Sequence, residues 1–587
     1  MLSSIVSPLD GFRSPFGPPR GFNPARLFGP TDTGWLYDLP DMSTLFQDAA
    51  GTIPVTAVNQ PVGLCLDKSK GLVRGPELVT NGDFSSGTAG WTLQTGWTIA
   101  GGMASVNSGA SANVYLQQTL TGLVIGRTYQ VSYSYNVVSG RVRLNPSLVG
   151  VTANRGAGSV GTDTVLVVAT SNNHNVWVQA IDAGTVATID NISVRELPGI
   201  HRSQSASLPR PTYARHPASG IRNLLTFTEE FENAAWAKSR SSISPNVATG
   251  PDGSLTADKL VEDTSSTDHR LSYGPSLTLP TGSPSTGSIY MKAGERNFFR
   301  FYVLFIPGAP NWTVNLTTGA VNIISGGEFV TVSTVNVGNG WWRISWTFTA
   351  QTATSSGAIY GSIATDAGGT INYTGDGTSG IFVWGAQLEL GSTATAYQRV
   401  RSVFDVTEAG QPDLYYLSYD GSDDFLSTAP FAWGSDKATI CAGVRKLSDA
   451  AGDRVIVEAS ANSDSTNGTF RLGTNAATFT WRSRGTVSAD TSGAGAQPIS
   501  AVLTGIGDIS GDVARLRRTG VQVGEVLTDQ GTGNFGTHSI FFGARAGTSS
   551  FFNGREYPSF GINRLLTANE LSQLERWTAQ KTGVTIP

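Results

Sequence analysis

The most regular stretch of the chain is TYQVSYSYNVV, in which Tyr129, Val131, Tyr133, Tyr135 and Val137 alternate with Gln130, Ser132, Ser134 and Asn136. A period of two turns one set toward a core and the other toward water, as in a half-buried strand. NFFRFYVLF and GWWRISWTFTA behave likewise, and the latter sets Trp342, Ile344, Trp346 and Phe348 on the core side. The same parity turns Val176 and Val178 of HNVWVQAI inward, and Val142 and Leu144 of RVRL with them. Trp177, Gln179, Arg141 and Arg143 then face outward. The one helical signature is C-terminal: Thr567-Ala-Asn-Glu570 is a capping box, Leu566 and Leu571 suit a hydrophobic staple, and Gly583 can end the helix.

Composition supports the β reading. Only 14% of the 587 residues are charged, Gly numbers 70, and β-branched and short polar residues abound, which suits an all-β chain with many turns. This length predicts three or four domains. A net charge of −4 gives no electrostatic reason to expect nucleic acid, and no run reaches the roughly 18 apolar residues of a membrane span. The N-terminus lacks a basic n-region and its apolar run stops at Pro8, so folding in a cytosol is expected. Cys65 and Cys441 are the only cysteines and make no disulfide framework.

Residues 1–33 carry six prolines interleaved with Phe12, Phe16, Phe22 and Phe28, which reads as an extended arm whose phenylalanines anchor it to another surface, with a disordered tail as the alternative. An internal repeat follows. ELVTNGDFSSGTAGW (77–91) and NLLTFTEEFENAAW (223–236) share Leu-x-Thr, Phe and Trp at nearly equal spacing. Each opens a block that closes on a similar strand, DNISVREL or FVWGAQLEL, so two related sandwich modules are expected at 75–197 and 223–400. The Pro- and Arg-rich stretch 198–222 reads as a connector, and a third β region runs from 401 to 587.

Three stretches carry a family resemblance. GWLYDLPDMSTLFQDAAGTIPVTAVNQPVGLCLDKSKG resembles a segment of phage and prophage virion proteins that precedes a concanavalin A-like (laminin G-like) sandwich. TTGAVNIISG, VGNGWWRISWTFTA and YTGDGTSGIFVWGAQLELGSTATAY resemble a phage tail-protein jelly roll. LVTNGDFSSG–GW with IDNISV resembles carbohydrate-binding-module jelly rolls. The resemblance implies that Asp67-Lys68-Ser69 and the later LSYDGSDD (417–424) belong to one discontinuous sandwich, 34–74 with 401–587, into which both modules are inserted. Cys65 and Cys441 would then share a domain.

The usual catalytic sets are absent from the sequence: G-x-S-x-G, H-E-x-x-H, a phosphate loop, and the E-x-D-x-x-E of concanavalin A-like glycosidases. His174, His201, His216, His269 and His538 lack metal-ligand spacing, and the glycines of GIGDISG read as turn residues. No catalytic residue and no cofactor is therefore expected. Asp420, Asp423 and Asp424 suit a structural turn or, alternatively, calcium. Sugar binding needs flat aromatic faces with a few polar groups. Outward parity nominates Trp177, Gln179, Arg141 and Arg143 in the first module, and Trp341, Arg343, Arg300 and Tyr302 in the second. Packing against another chain or a second sheet is the competing reading for each.

Together with the resemblance, these readings imply an all-β virion protein of a tailed phage, a fibre, appendage or decoration assembled in the host cytoplasm. Its arm would contact other virion proteins and its modules host-surface polysaccharide or lipopolysaccharide. Aligned copies would give avidity, with a trimer as the default number. A depolymerising spike and a purely architectural decoration are the alternatives.

Overall fold

The computed structural model describes residues 21–109, 111–144, 153–355 and 359–587. The chain is all-β except for one α-helix among these residues, Ala568–Thr582. It divides into two units, Met1–Ala214 with Leu414–Pro587 and Arg215–Asp413.

The first unit is built on a sandwich of two antiparallel sheets. One runs from Asp413–Asp420 through Asn553–Ile562, Lys437–Lys446, Ile499–Asp508 and Val513–Arg518 to Val521–Val526. Gly34–Tyr37 also pairs with Asn553–Ile562, Gly34 opposite Ile562 and Tyr37 opposite Ser559. The facing sheet runs from Leu45–Phe46 through Leu64–Cys65, Arg202–Ser203, Leu426–Thr428, Ile540–Phe542, Asp453–Ala459, Thr469–Asn475 and Thr478–Arg484 to Ser488–Ala494. Trp35, Leu417, Ile440, Phe470, Trp481 and Phe542 fill the space between them. The helix lies on the outside of the first sheet, burying Leu574, Trp577 and Ala579 against Cys441, Val502 and Phe560. Its capping box forms between Thr567 and Glu570, and Gly583 ends it at φ 71°. Cys65 and Cys441 are both buried and free.

The stretch 198–222, expected as a connector, is in large part sandwich. Arg202–Ser203 sits between Leu64–Cys65 and Leu426–Thr428, and Arg202 is fully buried. Its guanidinium reaches across the core to the Glu556 carboxylate at 2.7 and 2.8 Å, between the rings of Tyr37 and Phe542 at 4.2 and 4.6 Å. Tyr419 donates its hydroxyl to the same carboxylate at 2.8 Å. A Pro/Arg-rich composition suggests solvent because buried charge is costly, and that cost is offset here by the ion pair and the aromatic faces.

The Asp67-Lys68-Ser69 motif is a clamp. One Asp67 oxygen accepts the backbone N–H groups of Leu36 and Ser69, and the other accepts the Ile200 N–H and the Ser69 hydroxyl. The Asp67 N–H donates to Nδ1 of His201, whose Nε2 faces the Leu197 carbonyl. The clamp therefore joins the first strand to residues 197–201.

The arm also departs from expectation. Phe12 and Phe16 lie outside the described residues. From Gly21 onward the arm is not free: Pro24–Leu27 is a 3-10 turn, and Phe22 and Phe28 pack on the helix-side cluster of their own sandwich, Phe28 at 5.1 Å from Phe560. Proline-rich chain with spaced aromatics finds an apolar surface within the molecule.

The jelly roll at 75–197 has two five-stranded sheets. One is ordered Arg155–Gly156, Arg141–Leu144, Asn173–Ala180, Val114–Thr121, Thr92–Leu93, and the other Val160–Val168, Thr128–Ser139, Val186–Glu196, Met103–Asn107, Trp97–Ala100. Tyr129, Val131, Tyr133 and Val137 are buried between them, while Tyr135 is only partly covered. In the second unit the corresponding orders are Asn311–Asn315, Phe298–Tyr302, Tyr360–Ala364, Arg270–Tyr273, Trp236–Ser239, and Trp341–Thr349, Pro284–Ala293, Gly380–Leu390, Ala257–Glu262, Ser241–Ala248. Taken in chain order the two modules match strand for strand. The second adds one edge strand to each sheet, Val321–Ser325 and Val330–Gly338.

Two outcomes follow from the buried polar groups. Arg202→Leu strands the Glu556 charge in the core and lowers stability by about 3–5 kcal/mol, measured by urea unfolding. Burial pushes the His201 imidazole down to about 4. The unfolded ring takes its proton near 6.5, so between these values the unfolded state binds more protons and stability falls as the pH falls. On acidification from pH 6.5 to 4 the wild-type chain loses about 3 kcal/mol that His201→Gln does not, so their urea midpoints, separate at pH 7, converge.

Candidate functional site

Parity along the first module works as read. Trp177 lies opposite Gln117, and Gln179 opposite both Tyr115 and Arg143. Five side chains, Tyr115, Gln117, Trp177, Gln179 and Arg143, therefore share the outward face of one sheet, all half-buried. Beneath them Val114, Leu116, Val176, Val178, Val142 and Leu144 are buried in the core.

The face has an aromatic part and a polar part. The Tyr115 and Trp177 rings lie 5.3 Å apart at 38°. Beside them Arg143 donates Nε to Oε1 of Gln179 at 2.8 Å, and Gln179 donates Nε2 to Oδ1 of Asn113 at 3.2 Å. This chain fixes which end of the Gln179 amide donates. Arg141 stands at the rim and grips Asp182 with two bonds of 2.8 and 2.7 Å, which hold that carboxyl below its usual range.

Sequence parity grouped Trp177, Gln179, Arg141 and Arg143 correctly but missed Tyr115, Gln117 and Asn113. The signal was present: in VYLQQTL, Val114, Leu116 and Leu120 alternate with Tyr115, Gln117 and Thr119. Gln118 interrupts that alternation. It is buried and holds the backbone of Thr80, accepting its N–H and donating to its carbonyl at 2.8 Å each.

In the second module the nominated residues separate. Arg300 and Tyr302 stand on the strand equivalent to Arg141–Leu144, with Tyr302 opposite Tyr360. These two rings meet edge to face at 5.6 Å, Arg300 lies over Tyr302 and Arg270 over Tyr360, both at 5.1 Å. Arg300 is held by Asn311 and the Gly369 carbonyl. Tyr360 and Arg270 are the members that sequence reasoning did not name.

Trp341 requires correction. It faces away from the Ile344/Trp346 core, yet it is 1% exposed. A second cluster with Tyr290, Trp384 and Ala257 closes over it, and its indole N–H donates to the Thr249 carbonyl at 3.1 Å. Arg343 lies over Tyr290 at 5.5 Å and donates to the Thr395 carbonyl at 2.6 Å. Side chains of the neighbouring strands, with the loop carbonyls of Thr249 and Thr395, cover this position, which parity within one strand does not register.

Asp420, Asp423 and Asp424 bring carboxylate oxygens within 4.8 Å of one another. Asp420 accepts the N–H groups of Ser422 and Asp423, and Asp424 accepts that of Asp420, the bonding of a tight turn. Burial, with repulsion from Asp420 and Asp423, pushes Asp424 up to about 7.

No protein-family model matches the chain, and no curated protein matches it. Among solved structures it is similar to the CBM40 of Ruminococcus gnavus IT-sialidase bound to alpha2,3 sialyllactose, at 18% identity and TM-score 0.21 over 24% of this chain and 82% of that one. It is similar also to the N-terminal CBM22-1-CBM22-2 tandem domain of Paenibacillus barcinonensis Xyn10C, at 15% and 0.20 over 54% and 98%. A third similar structure is Trypanosoma rangeli sialidase in complex with the inhibitor DANA, at 8% and 0.24 over 87% and 94%. At such identities and scores the residues of the chain carry the functional reading by themselves.

The two nominated tryptophans should part on stability. Trp341→Ala empties a buried site and costs about 3–5 kcal/mol, whereas Trp177→Ala, on a half-exposed face, costs about 1 kcal/mol. Thermal unfolding of both variants measures the difference.

Proposed function

We propose that the chain is a non-enzymatic, modular glycan-binding protein of a tailed-phage particle, with the face around Trp177 as its principal sugar contact. The observation that carries this is the Tyr115–Trp177 pair beside the ordered Arg143–Gln179–Asn113 chain. Sugar rings present C–H faces that lie on aromatic rings, and hydroxyls that need donors and acceptors of fixed direction. The site supplies both on a sheet, where positions are held by the strands. The Tyr302/Tyr360 face of the second module, flanked by Arg270 and Arg300, is a second surface of the same kind. The virion setting is supported by the resemblance of the 34–71 stretch and of the second module's motifs to phage proteins.

The test uses the purified full chain on an array of bacterial surface polysaccharides and lipopolysaccharides. Binding is expected, with Trp177→Ala weakening it at least tenfold while the fold is retained. A reducing-end assay on the bound polysaccharide is expected to show no release, and release would make the protein a depolymerase. No binding to any glycan would favour an architectural decoration and overturn the proposal. A density map of the intact particle would show what residues 1–33 touch.

A further inference from the structure

The second unit leaves one long strand edge free of charge and proline, its ladder regular from Val330 to Asn336 and breaking register only between Asn336 and Gly338. Val330–Gly338 ends its six-stranded sheet and pairs only with Trp341–Thr349. An edge strand offers unpaired N–H and C=O groups to any chain that approaches, and proteins blunt such edges with charge, proline, bulges, shortness or a covering segment. Several other sheet ends among the described residues use these devices. At the opposite end of the same sheet, Ser241–Ala248 contains Pro245 and a register break between Ser244 and Ala248. In the first module, Val160–Val168 carries Asp163, paired with Arg155, and its Leu166 N–H donates to the Ala50 carbonyl at 2.8 Å. The sandwich edges carry Asp490 on Ser488–Ala494 and Glu525 on Val521–Val526.

The Val330–Gly338 strand, VTVSTVNVG, has no charge and no proline. Beside it Val321–Ser325 ends the facing sheet, also uncharged. Large apolar side chains stand open along this end of the module: Ile323 43%, Phe329 43%, Val335 56% and Val337 39% exposed. Glu328 is the single charge between residues 321 and 338. Both edge strands are also what the second module adds to the strand plan that it shares with the first.

We infer that Val330–Gly338 pairs edge to edge with the same strand of a second copy of this chain. Antiparallel pairing about a two-fold axis near Val335 makes the contact isologous, so that one patch meets itself. An uncharged strand suits this occupant, because self-pairing places each residue near its own copy and any charge near the axis would repel itself. Val335 then meets Val335 of the copy, Thr334 meets Asn336, and the two six-stranded sheets become continuous up to the register break at Val337. This goes beyond glycan binding and does not depend on it, although paired chains would present each sugar face twice.

The test is sedimentation velocity on the full chain across a concentration series, with Val335→Lys and Ser333→Pro. A reversible dimer is expected, its dissociation constant raised at least tenfold by Val335→Lys, a change at an exposed side chain that leaves the core intact. Hydrogen exchange gives a readout independent of any variant: amides of residues 330–338 should become more protected as the concentration rises. A chain that stays monomeric at 100 μM-scale concentration overturns the inference. So does an oligomer indifferent to both substitutions, or one that forms without new protection in 330–338.

Discussion

The Arg202–Glu556 pair is the constraint around which the first unit is arranged. A guanidinium and a carboxylate taken fully out of water are tolerable only if each meets the other in good geometry. That requirement locks together segments far apart in the chain. Arg202 comes from the stretch between the modules, Glu556 from a central strand of the opposite sheet, and the flanking rings from Tyr37 and Phe542. Hydrophobic packing would accept many registers of these strands. The ion pair, with the Tyr419 hydroxyl on the same carboxylate, accepts one.

The Asp67 clamp fixes what the ion pair leaves open. It binds the backbone of Leu36, Ser69 and Ile200, so the point where the chain leaves the sandwich for the first module and the point where it returns are tied together. An inserted module needs its two ends held close. The Asp67 carboxylate spends its hydrogen bonds on three backbone N–H groups and the Ser69 hydroxyl.

Much of this was legible in the chain because the physics was local. Alternation in TYQVSYSYNVV and HNVWVQAI showed strand faces, and the capping box at Thr567 showed the helix start. The repeat of LVTNGDF and LLTFTEEF pointed to two modules, whose matching strand orders are a property of the fold. What was not legible depends on distant partners. Arg202 gives no local sign of burial, since its partner lies at Glu556. Trp341 obeys its strand's parity and is still covered, because Trp384 and Tyr290 close over it. Tyr115 and Trp177 are far apart in sequence and become one surface only through cross-strand register.

The pairing of Gly34–Tyr37 with Asn553–Ile562 also sets an order of events during synthesis. Thr33 and Asn563 hydrogen-bond across 530 residues. The first strand leaves the ribosome long before its partner exists, while each jelly roll holds all its strands within its own block and can close as it emerges. Once folded, the modules replace hundreds of loose residues by compact spacers with adjacent ends, so the loop to be closed is far shorter than the sequence distance. Final assembly waits on the last strand and the helix behind it. A chain that stops early would carry finished modules on an open sheet with Trp35 and Tyr37 exposed, the kind of apolar surface that leads to aggregation.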